Sequence, residues 1–438
     1  MNNIEITGKA PIIDRVTLWV IFGLLIFNYG FQMLRIPPSG IGLPLSEILL
    51  AAVLFKANIS VLLKKLKTVF NIYIFILFVV YGLLRIIIGF FDHGIMAIRD
   101  GLPIVESMYV LVGFHLAGNV KTESKISKYF VFTSLFIGLY ILIYPLSASL
   151  QELSPKLFSS QGEPIAIFFN YINTGLVGLM VAAWSMERHM ATNESKFIVY
   201  ALFLAISILV LFPSRTLFLM LIAFAFLIYT RVKASSLVRL SPFLFGGMIL
   251  FVVLINSGVN IQGRFGDSLS LDSYGRLFVE ILFESDQGNI SSGMGGRVIW
   301  WESIIDRVTE SFVTILFGLG YGQTLIDFQG HGGVVVREPH NTLVSVFGRG
   351  GILGLGLFIL FQFQILKVAY LSNKSLKKTK DNNYMILPIV MLLLGTLINT
   401  LGESPFIMPF YAVPYYFFAG CLMRYYYNVR ISRGVCGY

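Results

Sequence analysis

Apolar residues run along this chain in long blocks, not in the two-residue alternation of strands or the single stripe of soluble helices. A helix needs about 20 apolar residues to cross about 30 Å of hydrocarbon. Blocks of that kind lie at 16–35, 41–55, 69–91, 102–118, 129–146 and 164–184, then at 197–213, 215–230, 240–256, 342–370, 383–401 and 405–424. The pattern predicts an all-α, polytopic integral membrane protein of about twelve transmembrane helices. The block at 41–55 is short and holds Glu47. Pro213-Ser214-Arg215 leaves so little chain between two blocks that the flanking helices must form a tight hairpin.

The periodic pattern stops between 257 and 341. This divides the chain into an N-terminal membrane region at 1–256, a large loop at 257–341, and a C-terminal membrane region at 342–438. Residues 257–296 are rich in Gly, Ser and Asp, with a short amphipathic helix expected at 274–283. Residues 297–317 read as one amphipathic helix lying on the membrane surface, with Trp300 and Trp301 suited to the interface.

Composition agrees: 56% of the 438 residues are hydrophobic and 13% charged, against about 25% charged in soluble domains. The net charge of +10 would hint at nucleic acid in a soluble protein. Here it follows the enrichment of Lys and Arg in cytoplasmic loops, and no nucleic-acid partner is expected. With a cytoplasmic N-terminus, that side receives Lys56, Lys64, Lys65 and Lys67, then Lys121, Lys125 and Lys128, and later Arg231, Lys233 and Arg239. Opposite short connections hold only Arg35, Arg99, Lys156 and Arg215. The alternation places both termini in the cytoplasm and the large loop outside. The first block has no small-residue cleavage site and should stay in the protein. Of the two cysteines, Cys421 lies in an apolar block and Cys436 near the end, so no disulfide should staple the loop. No Cys/His cluster has metal-ligand spacing, and neither metal nor cofactor is expected.

Three outward features carry potential chemistry. Ser214-Arg215 sits in the tight hairpin. Arg215 either marks a functional intramembrane charge or snorkels to the headgroups. Arg297, with Trp300 and Trp301, precedes Gly318-x-Gly320-x-Gly322, which alone could be an ordinary helix stop. His340-Asn341 lies where the loop re-enters the membrane, and Asn341 alone could be only a helix cap. Arg349, Gly351 and Gly354 follow.

Together these residues, in this order and at this spacing across roughly 210–360, resemble the O-antigen ligase/polymerase superfamily of bacterial surface polysaccharide assembly. The resemblance implies a GT-C-like membrane glycosyltransferase in the cytoplasmic membrane, acting on its outer face without a divalent metal. Its partners would be the lipid bilayer, glycan donor and acceptor carried on polyprenyl pyrophosphate, and a chain-length regulator. Residue chemistry fits. Guanidinium groups bind phosphate oxygens in pairs, so Arg215 and Arg297 would stabilise the charge growing on a pyrophosphate leaving group. A neutral imidazole at His340 suits a general base near pH 7, and a base opposite the leaving group predicts inversion. Arg337 would add an anion contact. Asn341, Gly318, Gly320 and Gly322 would support the site.

Ligases of this family tend to carry an acidic residue where this chain has Arg349. A third Arg could hold a second anion, as a repeat-unit polymerase with two pyrophosphate-borne substrates requires. The ligase reading, with a lipid A-core acceptor, stays open. So does a flippase, although the Arg, Arg, His set on one face is not needed for transport. Arg99, Asp100 and Glu106 at the mouth of the fourth span could pair with one another, while Glu163 and Glu403 could contact sugars or orient an Arg. Arg85 is expected to snorkel, and His331 has no motif support.

Overall fold

The structure, a computed structural model, describes residues 11–37, 42–159, 162–168, 174–212, 214–231, 294–326, 328–329, 335–376 and 385–432. The ninth expected span (240–256), most of the large loop with its 274–283 helix, and His331 lie outside the described residues.

The described chain is overwhelmingly helical. Helix α1 (Ile12–Phe31) follows Pro11 and leads into a two-residue hairpin, β1 (Arg35–Ile36) against β2 (Leu43–Pro44). Next come α2 (Leu45–Lys56), α3 (Ile59–Leu66), α4 (Ile72–His93), α5 (Ile95–Glu106), α6 (Tyr109–Leu116) and α7 (Val120–Ile143). Short α8 (Ser147–Leu153) precedes a second hairpin, β3 (Lys156–Phe158) with β4 (Pro164–Ala166). Then follow α9 (Thr174–Thr192), α10 (Ser195–Leu211), α11 (Arg215–Arg231), α12 (Met294–Thr309) and α13 (Phe312–Phe317). A third hairpin, β5 (Phe328–Gln329) with β6 (Val335–Val336), precedes α14 (Thr342–Leu376), α15 (Ile386–Asn399) and α16 (Pro409–Ser432).

Among the described residues, four helices are long and apolar enough to cross a membrane, or five if the pair α2 and α3, bent by 92°, counts as one broken span. Several expected blocks are broken, each for a local reason. The block at 41–55 begins only at Leu45, because residues 43–44 pair with β1 and the Leu45 N–H donates to Leu34 O at 2.9 Å. The block at 164–184 spends 164–166 on a strand, and its helix starts at Thr174. The block at 102–118 divides at Ser107-Met108, where the backbone tightens to three-residue bonds, Met108 N–H donating to Val105 O at 3.0 Å and Val110 N–H to Ser107 O at 3.2 Å. The surface helix expected over 297–317 is two helices. Ser311 caps the second, accepting from Thr314 N–H at 3.1 Å, while Thr314 Oγ1 accepts from Ser311 N–H at 3.2 Å.

Apolar side chains face both ways. On α4, Leu77, Leu84, Ile88 and Phe91 are exposed along one face, as a lipid-facing helix requires. Helix α16 is enclosed instead, with Phe410, Tyr415, Phe417 and Cys421 fully buried. It packs on α6 so closely that a Cβ on Gly420 would lie 2.1 Å from Val110 O, the small-residue contact that brings membrane helices together.

Candidate functional site

The site is assembled from separate stretches of chain that meet above α14 and α16. Four apolar residues, Ile304 and Val308 of α12 with Leu325 and Ile326, form a small core of their own, against which Trp300, Leu319, Val344 and Phe347 pack. Burial of this patch clamps α12 onto the start of α14. Polar contacts fix the register: Arg307 donates to Leu325 O at 2.8 Å, and the Trp301 indole donates to Pro339 O at 2.9 Å. Arg297, one turn before Trp301, is thereby carried to His340.

His340 stands at φ +51°, a left-handed conformation that a residue with a Cβ adopts at a cost of roughly 1–3 kcal/mol. Its neighbour Asn341 caps α14, its Oδ1 accepting from Leu343 N–H at 2.9 Å and Val344 N–H at 3.2 Å. The strained residue followed at once by a cap turns the imidazole out of the helix. Its Nδ1 lies 3.0 Å from Glu403 Oε2. A carboxylate can only accept, so the proton sits on Nδ1 and the Nε2 lone pair is free to take another. The other Glu403 oxygen lies 3.5 Å from Arg297 Nη2, and Arg297 Nη1 donates to Gly402 O. Glu403 therefore joins Arg297 and His340. Their side chains are 24–34% exposed, accessible to a substrate yet half shielded from water.

The same loop touches the start of α11. A Cβ placed on Gly402 would lie 3.0 Å from Thr216 Cγ2. Arg215 opens that helix, so its backbone is adjacent to the loop carrying Glu403. Its side chain lies outside the described residues. Three of the expected elements, Ser214-Arg215, Arg297 and His340, thus converge through Gly402-Glu403.

The glycine segment docks beside them. Gly318 (φ +73°) meets a break in α14 at Gly351 (φ +62°), where a Cβ on Gly318 would lie 2.5 Å from backbone atoms of Arg349 and Gly351. Leu319 N–H donates to Gly348 O at 2.7 Å, and Gly320 N–H to Arg349 O at 3.1 Å. From α4, Tyr81 donates to Gly350 O at 2.6 Å and Arg85 to Gly318 O at 3.1 Å. Arg85 therefore anchors the glycine turn, where a snorkelling role was expected. Gly318→Ala should cost at least about 1–3 kcal/mol from the positive φ alone, with the backbone clash added. The expected result is a lowered unfolding midpoint, and an unchanged midpoint would refute the tight dock.

Two expected anion ligands have another environment. Arg349 is 4% exposed. Its Nε donates to Glu338 at 3.1 Å and its Nη2 lies 3.1 Å from Asp100, while Nη1 reaches Gly320 O at 3.4 Å and Gln323 O at 3.3 Å. Arg337 Nη2 is 2.8 Å from the same Asp100 oxygen and 2.9 Å from Gly322 O. The two guanidiniums pair with carboxylates and hold the glycine segment. Asp100 does not pair with Arg99 and Glu106. It reaches across to Arg337, Arg349 and Gly322 N–H (3.3 Å), while Glu106 is fully buried facing Glu47.

Beside Arg349, a cleft opens between α4 and α14, with a cavity volume of about 50 Å³. Phe78, Val346, Phe358 and Phe406 give it apolar walls. The buried hydroxyls of Thr342 and Ser345, lacking a partner among the described residues, add polar points beneath Arg349.

The described residues thus set a histidine–carboxylate pair beside a guanidinium in a helical, largely apolar protein. Residues 200–359 match the family model described as O-antigen ligase. That stretch holds Ser214, Arg215, Arg297, the glycine segment and His340, and the match supports the O-antigen ligase/polymerase superfamily. The family acts as membrane glycosyltransferases on lipid-linked glycans. No curated protein matches the chain significantly. Asp100 and Glu403 lie outside the matched segment. Both are acidic residues beside outer ends of apolar blocks, a signal available in the sequence but shared with solvated loop charges.

Proposed function

We propose that the protein is a glycan polymerase of the bacterial cytoplasmic membrane, working on its outer face. It joins repeat units carried on polyprenyl pyrophosphate into O-antigen, capsule or exopolysaccharide chains. The observation that carries the chemistry is the Arg297–Glu403–His340 chain of contacts. An acceptor sugar hydroxyl gives its proton to His340 Nε2 as its oxygen attacks the donor's anomeric carbon. The bond from that carbon to the pyrophosphate oxygen breaks, and negative charge moves onto the leaving group. Arg297, together with Arg215 at the adjacent helix start, stabilises that charge where water is partly excluded. Attack opposite the leaving group inverts the anomeric centre. The apolar cleft between α4 and α14 accommodates prenyl units of the carrier, and Arg337, Arg349 and Asn341 act by holding the loop and helix around the site.

A polymerase handles two pyrophosphate-borne substrates, so it needs cationic surface beyond the donor's. The description of the matched family favours a second reading, a ligase transferring the finished glycan to lipid A-core.

Deleting the gene in its host and resolving surface glycans by length separates them. A polymerase loss leaves single repeat units on the anchor. A ligase loss leaves long chains on the carrier. Complementation with His340→Ala or Arg297→Ala should not restore the wild-type ladder. A full ladder from either variant would refute the assigned roles.

A further inference from the structure

Helix α3 lies at the far end of the molecule from the glycine segment. Helix α4, long and apolar enough to cross a membrane, joins the two. It starts at Ile72, shortly after α3 ends, and finishes at His93, whose Cβ would lie 2.3 Å from a Cβ placed on Gly322. Its 22 residues span about 33 Å, enough to cross the hydrocarbon core. Helix α3 does not follow that direction. It leaves α2 at 92°, while α2 packs on α1, another helix long and apolar enough to cross. Helix α3 therefore lies across the direction of the spans. The corner is built locally: Ala57 is extended, and Asn58 caps α3, its Oδ1 accepting from Val61 N–H at 3.2 Å.

This short helix is two-faced. Leu62 and Leu66 are buried, and α3 packs on α6 and α16. At about 100° per residue, Lys64 falls opposite that stripe and Lys65 on its flank. Val61 is exposed on the outer side, and Phe55, just before the corner, is 97% exposed. More basic groups gather where α3 ends. Thr68 Oγ1 donates to Lys65 O at 2.8 Å, and Arg430 of α16 donates through Nη1 to Thr68 O. Lys67 Nζ stands 5.2 Å from the centre of the exposed Tyr73 ring, in the first turn of α4. Three elements thus bring Lys64, Lys65, Lys67 and Arg430 to one edge. Lys56, at the corner, meets Asp14 at 3.7 Å. The segments that carry the other four supply no counter-charge of their own, because 48–91 and 404–438 contain neither Asp nor Glu.

We propose that α3 is an interfacial helix on the leaflet opposite the His340 site, where Lys64, Lys65, Lys67 and Arg430 bind the headgroups of anionic phospholipid. A helix set across the spans at the end of one sits at headgroup depth. Exposed apolar residues beside a basic face are the composition of helices that lie in a membrane surface. Lysine stems let the ammonium groups reach phosphates while their methylenes stay in the apolar boundary, and Tyr73 suits the same depth. Basic residues clustered beside a span attract anionic lipid electrostatically. Phe55 and Val61, exposed next to the lysines, favour lipid over a soluble acidic protein as the occupant. The surface lies a full span away from the His340 cluster and stands whichever transfer that cluster performs.

The full chain in neutral detergent should be titrated with phosphatidylglycerol, and separately with phosphatidylcholine, and the lipid adducts counted by native mass spectrometry. Wild type should bind phosphatidylglycerol more tightly by about tenfold or more. Lys64→Gln/Lys65→Gln/Lys67→Gln should lower that preference by about fivefold or more, with phosphatidylcholine binding unchanged. Lys64→Arg/Lys65→Arg/Lys67→Arg keeps the charge and should keep the preference. Lys125→Gln/Lys128→Gln removes basic charge from α7 instead, and should change the preference by less than about twofold, because exposed charges farther off are screened. Lys64→Gln alone, at an exposed position, serves if the triple variant does not fold, and should lower the preference by about twofold or more. No preference in wild type, or an equal loss in the α7 variant, overturns the proposal. So does an unchanged preference in the triple variant or its single substitute, which is the result expected if the lysines face an acidic protein.

Discussion

Glu403→Gln should reduce glycan transfer by about 10²–10⁴-fold, the range a positioned general base supplies, while leaving a folded, inserted protein. The carboxylate accepts from His340 Nδ1 and so keeps the Nε2 lone pair available. A glutamine amide can turn its NH₂ toward Nδ1, which favours the opposite tautomer and removes the basic nitrogen from the substrate side. It also takes the counter-charge from Arg297. Initial rates with purified lipid-linked substrate measure the loss, and the unfolding midpoint checks the fold. Glu403→Asp keeps the charge on a shorter arm and should recover part of the rate. Because the two residues act as a unit, Glu403→Gln in an His340→Ala background should cost little more. A wild-type rate in Glu403→Gln, or additive losses in the double variant, would sink the pairing.

Much of this site is legible in the sequence, and the part that is not has a physical cause. Apolar block length marks membrane helices well, but it does not see breaks imposed from outside the block. Leu45 begins α2 because of a hairpin partner, and Thr174 begins α9 after a strand pairing. The placement of Arg297 and His340 together follows from the motif order, and the structure brings them to one carboxylate. Arg349 and Arg337 are different. Their carboxylate contacts are not legible in the sequence: Asp100, which both share, lies more than two hundred residues earlier, and nothing in the spacing marks Glu338, eleven residues before Arg349, as its second partner. Which cations are satisfied depends on tertiary contacts, and no spacing rule reports them.

Arg349→Met accordingly has a different expected signature from a substrate-binding substitution. Its guanidinium is 4% exposed between Glu338 and Asp100, with two backbone carbonyls of the glycine segment as further acceptors. Removing one partner from a buried ion pair costs about 3–5 kcal/mol, because the remaining charge is left uncompensated. Asp100 keeps Arg337 as a partner, so Glu338 bears most of the loss. Arg349→Met should therefore lower the unfolding midpoint of the protein in nanodiscs and loosen the dock of Gly318 on Gly351. Arg349→Lys retains the charge but not the planar fork that reaches both carboxylates and carbonyls, and should fall between. Adding Glu338→Gln to Arg349→Met removes the stranded charge, and part of the midpoint should return. If Arg349 were instead an anion ligand, Arg349→Met would raise KM for the lipid-linked donor with its midpoint intact. That result would return Arg349 to the substrate and leave Glu338 with no structural role as its counter-charge.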